Sequence, residues 1–350
     1  MLRLTLCSDL HLQGRTIQEL EESGRLLRII TDAAIAFGSD VVCTGDFFHQ
    51  THVIDPPGPV VLLAHTELQR AWDAGCRWFI LKGNHDTDQP DNLDHSVLQL
   101  YRKISVPIIT PRSVVEAGCF LGFVPWAPPG AYRTGIDVIT AQAMQHRGTR
   151  ILFSHVSLKE GHVSPSNRQL DVPIRAQDLH PQEWTAIYLG DYHAAQQVQG
   201  YSNVFYLGAP RPQTFGDYDN IGIWLMEADD NGTINIQAHS IRDHFPAYQQ
   251  YCVRTEADLP LPGYNSGNKN RVYVSLELRT RIRTLYPDAQ IRPIADEVVK
   301  RQDSRLGNTE AKSLSTIEIV KRWLQWKGLP EQPYMDEAQK FLTGGSHGQT

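Results

Sequence analysis

The sequence predicts an α/β protein. Short apolar runs rich in β-formers alternate with amphipathic stretches of helical period, and five of those runs end in a cluster of Asp, His or Asn. A composition of 41% hydrophobic and 21% charged residues fits a globular chain, so the alternation reflects a buried core and not a tail or a fibre. Open α/β sheets build ligand sites where strands end, so the clusters and the fold class support each other.

The first run, Leu2 to Cys7, stops just before Asp9-x-His11. An amphipathic stretch from about Ile17 to Phe37 reads as a helix. Val41 to Thr44 reads as a second strand leading into Gly45-Asp46, and Pro59 to Ala74 as a helix that opens on a proline. Trp78 to Leu81 is a third strand, followed by Gly83-Asn84-His85-Asp86 and a shorter helical stretch from Asn92 to Tyr101. Ile151 to Phe153 precedes His155, and Ala186 to Leu189 precedes Asp191-x-His193. Residues 185–240 read as successive strands, with turns near Gly200 and at Asp229-Asp230-Asn231-Gly232.

At 350 residues the chain is too long for one ordinary core, which argues for a large first domain with smaller additions. A boundary is expected after about residue 245. Beyond it, turn-forming Leu259 to Gly263 and Asn265 to Asn268 separate strand-like Tyr251 to Arg254 from strand-like Arg271 to Leu278. Past Gly307 the pattern is helical: Ile317, Val320, Trp323 and Leu324 share a face, Gly328, Pro330 and Pro333 end the run, and Met335 to Leu342 forms a second short helix. The expected division is 1–245, 246–306 and 307–350.

No stretch approaches a transmembrane span, and the first apolar run meets Asp9 too early for a signal sequence, so no membrane role is expected. The five cysteines are scattered without metal-binding spacing, which suggests a reducing, cytoplasmic setting. The net charge of −6 hides an asymmetry: Lys269 to Lys327 carries 13 Lys and Arg against 7 acidic residues. Arg271, Arg279, Arg281, Arg283 and Arg292 in that stretch are candidates for phosphate contacts, or form a solvated charged face.

Three carboxylates (Asp9, Asp46, Asp191), three imidazoles (His11, His155, His193) and one amide (Asn84) are more donors than one ion needs. Two ions fit better. Oxygen mixed with imidazole nitrogen, without thiolate, favours Mn²⁺, Fe²⁺ or Zn²⁺, and a carboxylate shared by two such ions suits in-line attack on phosphorus. Taken alone, Asp9-x-His11 reads as a strand-end polar pair, Gly45-Asp46 as a turn and His155 as a hydrogen-bonded core residue. The ordered set favours the metal site.

In that order the blocks D-x-H, G-D, G-N-H-D, a lone His and G-x-x-H resemble the calcineurin-like metallophosphoesterases. Within them, Gly45-Asp46-Phe47-Phe48-His49, Ser154-His155 and Tyr206-Leu207-Gly208-Ala209-Pro210 with Phe215-Gly216 resemble the SbcD/Mre11-like DNA nuclease subunits of bacterial or phage type, over about residues 1–240. The resemblance implies a four-layer sandwich of two packed sheets flanked by helices, with a small α+β cap and a C-terminal helical hairpin. It implies that Asp9, His11 and His193 hold one divalent ion and Asn84, His155 and Asp191 the other, with Asp46 between them. His85 would act on the substrate phosphate, oriented by Asp86, and His49 would flank the site toward DNA. One position departs from the family pattern: Asp191 stands where these proteins carry His. The shorter, charged ligand moves the expected metal toward Mn²⁺, with Mg²⁺ as the alternative. The implied partners are DNA, a second copy through helices around residues 59–74 and 92–103, and a Rad50/SbcC-like SMC-type ATPase docked on residues 307–350 by Trp323 and Trp326. The setting would be the cytoplasm of a bacterial or phage-infected cell. A small-molecule phosphodiesterase or phosphatase and a nuclease-inactive DNA-binding scaffold remain as other readings.

Overall fold

Alternation along each strand decides which layer a side chain enters. The computed structural model describes residues 1–49, 58–162, 171–215, 222–294 and Lys321. In chain order the strands of the first part are β1 (Leu2–Cys7), β2 (Asp40–Cys43), β3 (Trp78–Leu81), β4 (Val106–Ile108), β5 (Arg112–Glu116), β6 (Cys119–Val124), β7 (Arg150–His155), β8 (Ala186–Gly190), β9 (Gln196–Gln197), β10 (Val204–Tyr206), β11 (Gly222–Ala228) and β12 (Ile234–Ser240). They form two mixed six-stranded sheets, ordered β12-β11-β1-β2-β3-β4 and β5-β6-β7-β8-β10-β9. Strands β1 to β4 run parallel in the first sheet, as do β6, β7, β8 and β10 in the second.

Leu4 and Leu6 of β1, Val42 of β2, and Phe79 and Leu81 of β3 meet Leu121, Phe123, Ile151, Phe153 and Tyr188 in a core between the sheets. Their alternating neighbours, Cys7, Val41, Cys43, Trp78 and Ile80, face the other way into a core shared with helices α1 (Ile17–Phe37) and α2 (Pro59–Asp73). On the far side of the second sheet, Phe120, Val124, Leu152, Ile187 and Leu189 pack with Tyr132, Ile136 and Ile139 of α3 (Pro129–Ala143). Three apolar cores thus separate four layers: the α/β class that the alternation predicts, in the sandwich form that the family resemblance implies. A run of stacked rings, Phe79, Phe123, Phe153, Tyr188 and Phe205, threads the middle core at centroid spacings of 5.4–6.1 Å.

Helix α1 begins at Thr16, whose hydroxyl accepts from Glu19 N while the Glu19 carboxylate accepts from Thr16 N, and it ends at left-handed Gly38. The helix expected over Asn92 to Tyr101 is instead a 3₁₀ helix, Val97–Tyr101, preceded by turns. Asp91, Asn92, Asp94 and Ser96 crowd the start of that stretch, and the Ser96 side chain accepts from Leu98 N, which delays the helical turn.

The chain divides into two compact units, Met1–Tyr248 and Gln249–Thr350. The described part of the second unit holds a three-stranded sheet, β13 (Tyr248–Val253), β14 (Lys269–Val274) and β15 (Gln290–Pro293), with helix α4 (Arg279–Leu285). Val253, Leu261, Val272, Val274 and Ile282 form its core. Of the candidate phosphate contacts, Arg281 pairs with Glu256 at 2.9 Å. The expected hairpin over 307–350, Lys321 apart, lies outside the described residues. Among the described residues no helix is long and apolar enough to cross a membrane.

Candidate metal centre

The parallel strands of both sheets deliver their C-terminal ends to one place. Asp9 and His11 follow β1, Asp46 follows β2, Asn84 and His85 lie in a 3₁₀ turn after β3, His155 closes β7, and Asp191 and His193 follow β8. The loops after β1 and β2 are zipped together by Asp9 N to Gly45 O, His11 N to Asp46 O and Leu12 N to Phe47 O, at 2.9–3.0 Å.

The backbone around the centre is unusual. Asp9, His11, Asp46 and Asp191 have φ of 52°, 43°, 49° and 105°, a region that non-glycine residues rarely occupy. Such strain persists only where the surroundings over-determine it, and here it falls on four donors of the site. Glycines supply the room: a Cβ on Gly83 would lie 2.0 Å from Asp46 Oδ1, and one on Gly45, itself at φ 115°, would lie 2.1 Å from His155 Nδ1.

The donor atoms converge. Asp9, His11 and His193 bring one ligand atom each within 4.8 Å of one another, and so do Asp9, Asp46 and His155. Asp46 points Oδ2 at His11 Nε2 (3.6 Å) and Oδ1 at His155 Nε2 (3.4 Å), spanning the two groups. His155 Nε2 also faces Asn84 Oδ1 at 3.0 Å and Asp191 Oδ1 at 3.7 Å, while His193 Nε2 sits 3.2 Å from His11 Nε2. Sharing therefore involves Asp9 as well as Asp46.

The electrostatics fit a cation. Burial, opposed by the neighbouring histidines, raises the Asp9 and Asp46 carboxyls above their ordinary range. Burial likewise drives His11 well below its usual value, helped by His193 and His85, which leaves a neutral imidazole with a free lone pair. Oxygen and imidazole donors in a buried, strained cradle suit a borderline-hard divalent ion.

His85 and His49 lie beside the centre, but Asp86 is arranged differently from expectation. Asp86 does not orient the His85 ring: its buried carboxylate accepts from Phe47 N (3.2 Å), Phe48 N (2.9 Å) and Gly83 N (2.9 Å), tying the loop after β3 to the loop after β2. The ring is held instead by His49, whose carbonyl accepts from His85 Nδ1 at 2.6 Å. His49 Nδ1 lies 3.4 Å from His11 Nδ1, and His11, His49 and His85 make a third, more exposed group of donors.

A profile described as calcineurin-like phosphoesterase matches residues 2–184, which carry the centre as far as His155. The chain belongs to the calcineurin-like phosphoesterase family. The family is one of metal-dependent phosphoesterases, and the clustered Asp and His donors are of a kind that could hold such ions. No curated protein matches it. Among solved structures, the "Putative 5'-Nucleotidase from Staphylococcus aureus in complex with alpha-ketoglutarate" is 12% identical with a TM-score of 0.43, over 68% of this chain and 53% of its own. The chain thus spans about half the length of that protein. The protein of unknown function AQ665 from Aquifex aeolicus is 15% identical with a TM-score of 0.25, over 45% of this chain and 81% of its own.

Several supporting groups had no signal in the sequence. Gln213 Nε2 donates to the carbonyls of Asp9 (3.2 Å) and Leu10 (3.3 Å), and buried Arg211 donates to that of His11 (3.3 Å), so the segment after β10 braces the strained loop from outside. Ser157 donates to Asp191 Oδ2. These contacts depend on how distant loops meet.

Proposed function

We propose that this member of the family is a DNA nuclease subunit of the SbcD/Mre11 kind, hydrolysing phosphodiester bonds with Mn²⁺ or Mg²⁺ and working with a Rad50/SbcC-like ATPase in DNA end processing. The observation that carries this reading is His49. The block Gly45-Asp46-Phe47-Phe48-His49 resembles that subgroup, and its histidine is built into the centre through His85 Nδ1 and His11 Nδ1. The blocks that carry the resemblance to the wider family do not include that residue.

In this reading Asp9, His11 and His193 hold one ion, Asn84, His155 and Asp191 the other, and Asp46 reaches both. Two divalent ions held there would supply polarisation of a phosphoryl group and a lowered pKa for nearby water. The chain's own residues do the rest. A carbonyl oxygen only accepts, so the contact to His49 O fixes a proton on His85 Nδ1, and Nε2 carries one only when the ring is charged. His85, with 37% of its side chain exposed, is then placed to hold a phosphoryl oxygen or to protonate the leaving oxygen from Nε2.

Two further features support the proposed partners. The excess of Lys and Arg from Lys269 to Lys327 suits sequence-independent phosphate contacts. Leu62 of α2 and Leu100 of the 3₁₀ helix Val97–Tyr101 are 63% and 56% exposed, one in each of the two segments through which the resemblance implies pairing of two copies.

The test is hydrolysis by the purified full chain with Mn²⁺, offered end-labelled double- and single-stranded DNA beside mononucleotides and bis-p-nitrophenyl phosphate, with and without the ATPase. Shortened DNA products support the nuclease. Turnover of small esters alone overturns it in favour of a small-molecule phosphoesterase, and DNA binding without hydrolysis overturns it in favour of a scaffold.

A further inference from the structure

Asp191 is held at both ends. Its backbone, at φ 105°, donates N–H to Asp9 Oδ1 and Oδ2 at 3.1 and 3.2 Å. Its side chain is divided: Oδ2 accepts from the Ser157 hydroxyl, while Oδ1 faces His155 Nε2 at 3.7 Å. A carboxylate with one oxygen occupied in this way offers the other as a single donor.

The serine is itself fixed. Tyr206 OH donates to Val156 O and accepts from Leu158 N, both at 2.9 Å, so one hydroxyl grips the backbone on either side of Ser157. Tyr192 OH donates to Leu158 O at 2.9 Å, and the two rings pack with centroids 4.7 Å apart. Both tyrosines are buried, and neither belongs to the donor set. The grip leaves the Ser157 hydroxyl little freedom beyond its own rotor.

We propose that Ser157 is a positioning residue that holds Asp191 as a one-oxygen ligand and thereby tunes the ion accepted at the His155 end of the centre. The proposal rests on the reading of Asp191 as a ligand. Without the hydroxyl, the carboxylate is free to turn about its terminal torsion, present both oxygens or swing toward solvent. Partners that orient a ligand from behind typically matter by about 10–100-fold in metal affinity.

The experiment is calorimetric titration of the full, chelator-stripped chain with Mn²⁺ and separately with Zn²⁺, for the wild type, Ser157→Ala, Ser157→Thr and Asp191→Ala, with metal-free melting temperatures alongside. Ser157→Ala is expected to weaken one of two Mn²⁺ ions by about tenfold or more, to leave the other unchanged, and to alter the Mn²⁺/Zn²⁺ affinity ratio, with Ser157→Thr restoring both. Wild-type affinities in Ser157→Ala, where Asp191→Ala still loses an ion, would overturn the role of Ser157 alone. Equal loss of both ions and of the metal-free melting temperature in Ser157→Ala and Ser157→Thr would also overturn it, since that is a folding defect. Two ions bound unchanged by Asp191→Ala would take down the reading of Asp191 itself.

Discussion

His155 Nδ1 lies 2.8 Å from the carbonyl oxygen of Thr44, joining the last residue of a strand in the second sheet to the residue that follows a strand in the first. The carbonyl can only accept, so Nδ1 carries the proton and Nε2 is turned toward Asp46, Asn84 and Asp191. A single side-chain-to-backbone hydrogen bond thus ties the two sheets together at the centre and selects the tautomer that a metal needs.

This predicts proton-coupled metal binding. Burial works to lower the His155 pKa, but the charges of Asp46, Asp9 and Asp191 overcome it and push the ring up to about 9 from an ordinary 6.5. A cation must displace that proton, so Mn²⁺ affinity should rise by up to about tenfold per pH unit and level off above about pH 9. Calorimetry at pH 7 in two buffers of different ionisation heat should register release of a proton. The same shift has a stability sign: with the folded value above the unfolded one, the contribution of His155 to metal-free stability is full below about 6.5 and lost as pH rises through about 9. A metal-free melting temperature that rose across that window would contradict the pairing.

Asp46→Ala and His85→Leu should separate binding from chemistry. Asp46 addresses both His11 and His155 with different oxygens, whereas His85 Nε2 stands 4.0 Å from Asp46 Oδ2 on the more exposed side. Both variants should lose hydrolysis by at least about 100-fold, but only Asp46→Ala should lose Mn²⁺ in titration. Equal loss of metal in the two would show that His85 is a ligand.

Asp86→Ala should be a stability variant first. Its carboxylate satisfies three backbone N–H groups in a buried place, and each buried donor left without an acceptor costs about 1–3 kcal/mol. Burial, and then the charge of Asp46, pushes its pKa to about 7 against the opposing backbone donors. The melting temperature should fall and the loop carrying Asp46 should loosen, so metal affinity falls with it. Unchanged melting and unchanged affinity would remove Asp86 from the frame of the site.

Much of this was legible because the signals are local. The period and capping residues of Ile17 to Phe37 mark α1 to the residue, and the five apolar runs place every candidate donor at a strand end. What was not legible depends on contacts between distant segments. The family resemblance implies that Asp86 orients His85, yet its carboxylate accepts from Phe47 N and Phe48 N in the loop after β2 and from Gly83 N in its own loop. Helix α3 carries a local signal of the same kind as α1, with Pro129 at its start and Tyr132, Ile136, Ile139 and Ala143 at helical spacing. Asp9 belonging to both donor groups, and Gln213 bracing its loop, follow only from how the loops close.

Asp191→His tests the departure from the family pattern. The aspartate gives a short, charged oxygen facing His155, whereas histidine would give a neutral nitrogen on a longer reach, and softer ions favour nitrogen. The backbone at φ 105° is as strained for one residue as for the other, so the exchange should not by itself unfold the loop. Ser157 can accept from an imidazole N–H where it now donates to the carboxylate, so the incoming ring keeps a partner that orients it. Hydrolysis should survive, and the metal giving the highest rate should move from Mn²⁺ toward Zn²⁺, read from rates and from competition titration of the two ions. Retained hydrolysis with an unaltered Mn²⁺ preference would mean that the residue at this position does not choose the ion.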